Sequence, residues 1–275
     1  MLTLRPLPPL VALAAGTTLA LSVAPVAAQD FAPHRAVYAV SSLERGKPGP
    51  STSGTYAYEL RLTCDGYVIN QRLRLEAGGR APVASEQQSQ LSESRDGRKF
   101  KFEHRTAAGG RQVSLVKGEA TIDDDGKGEA RFTEPAGQSV GLPVGTLFPV
   151  AIARETVRLA KAGENGFDAR FFFGDKVKPP QSVNVLIGKV PKRLADLKAP
   201  EGGGEPLVEG RTRIYYRAGF FETAVDNKAQ GEPAYEMSSV TLDNGIELYG
   251  THEESDAAIE YRITRLEPLP RPECK

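Results

Sequence analysis

Hydrophobic and polar residues alternate along most of this chain. In "GTYAYELRLTC", residues 54–64, Tyr56, Tyr58, Leu60, Leu62 and Cys64 fall on one side, while Ala57, Glu59, Arg61 and Thr63 fall on the other. A period of two is the signature of a half-buried strand, because successive side chains of an extended backbone point to opposite faces. After the turn pair Asp65-Gly66, "YVINQRLRLEA" repeats the pattern from Val68 to Leu75, so the two segments predict a long β-hairpin. The same signal returns in "RKFKFEHR", "EATID", "EARFTE", "NGFDARFFFG", "QSVNVLIG", "RTRIYYRAGFFETAV", "AYEMSSVTL", "GIELYGTHEE" and "AAIEYRITRLEPL". Turn pairs such as Asp96-Gly97, Gly109-Gly110, Asp125-Gly126 and Asn244-Gly245 separate them. The reading is an all-β chain of roughly a dozen to fifteen strands, about 14, with antiparallel neighbours, since no helices are spaced to serve parallel crossovers. "PSTSG" and the stretch from Lys189 to Leu207, with "APEGGGEP" inside it, are expected to be exposed loops within one domain, because the alternation resumes unchanged after each.

One segment breaks the pattern. "GLPVGTLFPVAIARETVRLAKAGENG", residues 141–166, runs from a Gly/Pro-rich loop into a helical period. A phosphate-binding loop needs a lysine after its last glycine, whereas here Thr146 follows Gly145 directly and no buried parallel strand precedes it. The segment therefore predicts a structural helix with Thr146 as N-cap, Pro149 in the first turn and Gly163 at the C-terminal stop. Val150, Ala153, Val157 and Ala160 make an apolar stripe that Ile152, Thr156 and Leu159 widen; Arg154, Glu155, Arg158 and Lys161 are expected on the wet side. A solitary amphipathic helix among so many strands has one natural role: its stripe plugs a curved sheet that wraps around it.

The N-terminus reads as a leader. Arg5, an apolar run from Leu10 to Val23 and the small-residue tail "APVAA" make a secretory signal peptide over residues 1–28, cut between Ala28 and Gln29. Pro6, Pro8, Pro9 and Pro25 bound the run and it is short for a membrane span of roughly 20 residues, so residues 29–275 are expected as one exported domain, not an integral membrane protein. The lipid-anchor alternative needs a Cys after the cut, where Gln29 stands. Lys plus Arg and Asp plus Glu are 35 each, which gives no positive excess to attract nucleic acid. Only two cysteines occur, Cys64 and Cys274; in an oxidising compartment such a pair reads as a disulfide, with two buried thiols as the alternative.

No arrangement of reactive side chains points to catalysis, to a cofactor or to a metal. His34, His104 and His252 are far apart, belong to no HExxH or G-x-S-x-G motif, and are expected as surface or partly buried strand residues. "DDDGKGE" has the outline of a calcium loop but lacks its first acid, and Phe132 stands where the bidentate Glu belongs, so a charged hairpin turn is expected. Glu253-Glu254 reads as a solvated edge. Phe171, Phe172, Phe173, Tyr215, Tyr216, Phe220 and Phe221 read as sheet core, with a hydrophobic groove as the alternative.

"HRAVYAVSS", "TCDGYVINQRL", "LPVGTLFP" and the closing "RLEPLPRPEC" resemble the EipB-type cell-envelope integrity proteins of Gram-negative bacteria, most specifically in the Cys-Asp-Gly-Tyr run plus the terminal Cys. The resemblance spans nearly the whole exported part. It implies a periplasmic β-spiral or open barrel, a Cys64–Cys274 disulfide, a role in maintaining the envelope under stress, and no enzymatic activity. The absence of Trp and the "EGGGEP" stretch depart from the pattern. Two functions follow: a non-catalytic protein binding other envelope proteins or polymers through its outer surface, or a carrier of a lipid or lipoprotein acyl chain. A continuous pocket between helix and sheet favours the carrier, and a filled core favours the interaction protein.

Overall fold

The computed structural model describes residues 30–43, 52–78, 83–198, 200–223, 231–255 and 257–274. The leader and the expected cut between Ala28 and Gln29 lie outside them. Fifteen strands form one sheet among the described residues. They are β1 (His34–Ser42), β2 (Thr52–Leu62), β3 (Gly66–Ala77), β4 (Val83–Ser94), β5 (Lys99–Ala108), β6 (Arg111–Ile122), β7 (Gly128–Glu134), β8 (Gln138–Leu142), β9 (Thr146–Leu147), β10 (Gly166–Phe171), β11 (Gln181–Gly188), β12 (Arg213–Phe221), β13 (Tyr235–Leu242), β14 (Glu247–Glu253) and β15 (Ala258–Pro268). The spatial order is β8-β7-β6-β5-β4-β3-β2-β1-β15-β14-β13-β12-β11-β10-β9. Every pairing is antiparallel except β9 with β10. This is the rolled, nearly closed antiparallel sheet that the alternation predicts.

Register shows which residues share the inner face. Tyr58 and Leu60 on β2 oppose Gln71 and Ile69 on β3, which oppose Ser89 and Leu91 on β4, which oppose His104 and Phe102 on β5. The strand β4, "VASEQQSQLSES", carries no readable alternation because its inward positions Ser85, Gln87 and Ser89 are themselves polar. Inside one end of the roll, Leu60, Tyr67, Ile69, Leu91, Phe100, Phe102, Phe132, Phe148, Phe172, Val150 and Val157 form one buried cluster.

The helix α1 (Pro149–Lys161) supplies part of that cluster. Val150 and Val157 are buried, and Ala153 and Ala160 pack against them from the half-buried flank. Gly163, at φ +78°, ends it. The Glu164 amide donates to Leu159 O and the Gly163 amide to Ala160 O, the paired bonds of a Schellman ending. Two expectations change here. Thr146 is not the N-cap: it lies in β9 with its hydroxyl donating to Pro143 O, Phe148 occupies the cap position without a side-chain bond, and Pro149 opens the first turn. Arg154 is not on the wet side; it donates to Arg95 O at 2.7 Å and its guanidinium lies 5.9 Å from the Tyr67 ring centroid.

The stretch 189–208 is exposed at most of its described residues, as expected, but is anchored by buried Leu194, Pro200 and Val208, so it also acts as a cover. It carries a short 3-10 turn, Lys192–Leu194, and the one-turn helix α2, Glu205–Val208. Leu194 packs with Val240 and Tyr249, and Val208 with Leu242 and Leu266. Tyr215, opposite Val240, joins the Leu194 cluster, so the outer face of β12 to β14 is apolar and needs this lid from water. At the other side of the roll, β8 and β9 are the sheet edges, and the join is made by side chains. The Phe172 ring enters the cluster of Phe100, Phe102, Phe132 and Phe148, and His104 donates from Nε2 to Phe173 O at 2.9 Å.

Candidate functional site: an acidic, tyrosine-lined interior

Two carboxyl groups point into the roll, and the structure treats them differently. Glu93 ends β4 and is 2 % exposed. Its Oε2 accepts from the Val150 amide and its Oε1 from the Ala151 amide, each at 2.7 Å, so it caps the helix that has no cap of its own. Burial pushes its carboxyl up to about 7, against the opposing pull of those two amides and Arg154. Every oxygen has a partner, which marks a structural acid.

Glu247 opens β14 and has no such complement. A bulge in the β13–β14 ladder puts Thr241 opposite Glu247 while Val240 faces Tyr249. Tyr249 looks outward beneath Arg262, whose guanidinium is 4.7 Å from the ring centroid; the extra residue turns Glu247 inward instead of out. Burial pushes its carboxyl up to about 7, with Ser239 and Tyr261 pulling the other way. Among the described residues its side-chain bond of ordinary geometry is a long one, Tyr261 Oη donating to Oε1 at 3.4 Å. Tyr38 Oη donates to the Glu247 carbonyl at 2.9 Å.

Tyrosines wall this carboxyl. Tyr38, Tyr56, Tyr58, Tyr216 and Tyr261 all have their ionisation raised, first by burial and next by the Glu247 charge or one another's, so all five hydroxyls stay protonated. Ring centroids are 5.3 Å apart for Tyr38 and Tyr56, 5.9 Å for Tyr38 and Tyr261, and 6.0 Å for Tyr56 and Tyr261. These residues come from strands as far apart in the sheet as β2 and β12, and they converge on one acid because the sheet is rolled around it. Gly250, opposite Tyr261, leaves the space that the Tyr261 ring fills; a Cβ there would collide with the ring. Tyr56, Tyr58, Tyr216 and Glu247 are only half-buried, although desolvation dominates their ionisation. Interior groups that keep open surface face an inner space. Along β4 the inward Ser89 is buried, Gln87 exposed and Ser85 half-buried, so the interior is more open toward the end of the roll opposite α1.

The residues singled out from sequence are placed as follows. Cys64 and Cys274 are joined as a disulfide with Cα atoms 5.5 Å apart. Cys64 lies in the exposed turn after β2, not on the strand face, because β2 ends at Leu62. His34 and His104 are buried instead of on or near the surface. His34 Nδ1 contacts Ala32 O at 2.7 Å, its Nε2 has no partner, and burial lowers its ionisation to about 4. His104 is bonded through both ring nitrogens, to Ser89 Oγ and Phe173 O, which makes it a clasp and leaves no free nitrogen for acid–base work. His252 stacks on Tyr235 at 4.8 Å. Asp123–Lys127 is a hairpin turn with Gly126 at φ +79°. Among the described residues no group of His, Cys, Asp and Glu is arranged to hold a metal ion, and no helix is long and apolar enough to cross a membrane. Phe172 and Phe220 are core, and Tyr215 faces outward. Sequence reasoning missed Glu93, Glu247 and Tyr38; the first two sit where a polar strand or a bulge hides the period.

Two surface cavities flank the roll. One, of about 520 Å³, lies along the β10 edge by Val144, Asp168, Arg170 and Asn184; the other, about 240 Å³, by Phe171, Phe173, Gln181 and Tyr235. Neither contains Glu247.

The chain is 26% identical over 245 residues, 86% of its length and 83% of the relative's, to the cell envelope integrity protein EipB of Brucella abortus strain 2308. It superposes on the crystal structure of a β-barrel-like protein from Brucella abortus with a TM-score of 0.77 at 23% identity, covering 88% of this chain and all of that one. The model of the family described as EipB-like matches residues 25–270. That match, over nearly the whole chain, places this protein in the EipB-like family.

Proposed function

We propose that this protein is a non-catalytic, periplasmic component that maintains the integrity of the cell envelope, acting by binding envelope proteins or polymers. The envelope role comes from the Brucella abortus relative, and the periplasmic location from the leader over residues 1–28. The observation that favours an interaction protein over an acyl-chain carrier is the filling of the space between helix and sheet. Phe100 and Phe148 stack at 4.9 Å, Phe172 closes on Phe102 at 5.7 Å, and Val150 and Val157 pack into the same cluster. A buried acyl chain needs a continuous apolar groove. In the rest of the interior the apolar side chains, such as Leu73, Leu75 and Ile259, are interrupted by Glu247, Ser239 and five tyrosine hydroxyls.

The test is complementation. Cells lacking the gene are challenged with a detergent and a cell-wall antibiotic, then supplied with the wild-type chain or with one whose leader, residues 1–28, is removed. Rescue only by the exported form is expected. Rescue by the leaderless form would overturn the location, and no rescue by either would overturn the envelope role. Copurification of stoichiometric lipid with the periplasmic protein would favour the carrier.

A further inference from the structure

We propose that the interior of the roll is a binding site for an organic ammonium ion, with Glu247 as counter-charge and Tyr38, Tyr56, Tyr58, Tyr216 and Tyr261 as the aromatic wall. The first ground is incomplete satisfaction. Buried carboxyls in folded proteins have partners, and Glu93 in this same interior shows what a completed one looks like, with two amides at 2.7 Å. Glu247, half-buried, has among the described residues only a long contact from Tyr261 Oη at 3.4 Å and the nearby Ser239, with no Lys, Arg or His ion pair. Ser239, opposite Tyr216, is close enough to Glu247 to favour its charged form, yet its buried Oγ has no hydrogen-bond partner of normal geometry. The His34 ring lies 5.5 Å from Tyr58 and its buried Nε2 is also unpartnered.

The second ground is the chemistry of the wall. Tyrosine faces attract cations through the ring quadrupole, most strongly where water is excluded, and a cage of several aromatic rings beside an acid is the arrangement that selects alkylated ammonium groups. A bare metal ion prefers several oxygen ligands at short range, which one carboxyl does not supply. An anion would meet Glu247. The third ground is what lies between the acid and the open end. Leu73 of β3, directly opposite Tyr56, and Leu75 of β3 and Ile259 of β15, one inward step beyond Tyr56 and Tyr261 toward the mouth, are half-buried apolar residues on the inner face. They suit a short alkyl tail behind a cationic head. A bound cation also restores the ionised form of an acid that burial pushes up to about 7.

Calorimetric titration of the exported chain with hexyltrimethylammonium tests this, with hexan-1-ol and hexanesulfonate as neutral and anionic probes of the same tail. Saturable binding of the cation alone is expected, weakened at least tenfold in Glu247→Gln and several-fold in Tyr56→Leu. A second variant matters because Glu247→Gln fills the same space without charge and keeps the fold readable by its melting profile. Equal binding of hexan-1-ol, no saturable binding of the cation by folded wild type, or unchanged affinity in both variants would overturn the site. The readout uses purified protein, so its failure leaves the envelope role, read in cells, untouched.

Discussion

Replacing Glu93 by Ala removes the acceptor of two helix amides in one step. The Val150 amide is buried, the Ala151 amide partly so, and no side chain of the helix's own replaces the carboxyl. A buried donor left without a partner costs about 1–3 kcal/mol, so the pair is worth about 2–5 kcal/mol. For a chain of this size that is a fall in melting temperature of about 4–20 °C. Thermal and urea unfolding followed by circular dichroism measure it, with the exposed Glu119→Ala as the control on the outer face of β6. Glu93→Gln adds a pH test. The folded-state ionisation of Glu93 is raised from 4.5 to about 7, so the folded protein holds a proton that the unfolded chain has released. That contribution is fully present below 4.5 and is lost as pH rises through 7, in total about 3 kcal/mol. The wild-type advantage over Glu93→Gln therefore shrinks between pH 4.5 and 7. Glu93→Ala equal to Glu119→Ala within about 0.5 kcal/mol would refute the capping argument, and a pH-independent gap to Glu93→Gln would refute the raised ionisation.

Three further outcomes are expected. Val157→Asp unfolds at a temperature well below Arg158→Asp, because Val157 is 8 % exposed inside the core and an unpaired buried charge costs several kcal/mol, whereas Arg158 is an exposed partner of Glu155; equal midpoints in differential scanning calorimetry would sink this. Gly174→Ala loosens the join of the roll, since Gly174 is at φ +78° and a Cβ would sit 2.7 Å from the Phe102 ring; faster amide exchange at Phe172 and Phe173 than in wild type is the sign to look for. The Cys64→Ser, Cys274→Ser double variant keeps its fold with a lower melting point and faster proteolysis near the C-terminus, and a melting point unchanged from wild type would speak against it.

Alternation exposed the faces of the strands wherever inside and outside differ in polarity. Tyr56, Tyr58, Leu60 and Leu62 are one such set, and α1 was legible from its period, Pro149 and Gly163. What stayed hidden has physical causes. The strand β4 faces a polar interior, so Ser85, Gln87 and Ser89 give no hydrophobic beat. Glu247 reads as outward by parity with Tyr249 until the bulge removes one step from the count. The cap of α1 comes from a residue 57 positions away, beyond any local signal. The cover over 189–208 was written in Leu194, Leu197 and Val208, but Gly and Pro around them masked it.

The pairing of the first strand with the last divides the molecule in a way that its rolled outline conceals. β1 to β8 form one uninterrupted up-and-down meander and β10 to β15 another, and the ladder from His34 opposite Pro268 to Ser42 opposite Ile259 joins them. Within each wing every ladder links neighbours in sequence, so each assembles from local contacts; docking the wings is the single step that must bring residues more than 200 positions apart together. The chain is thus two meanders spliced along its first and last strands, with one core drawn from both. A cut between β8 and β9, at Val144, leaves each meander whole and divides only the packing between them.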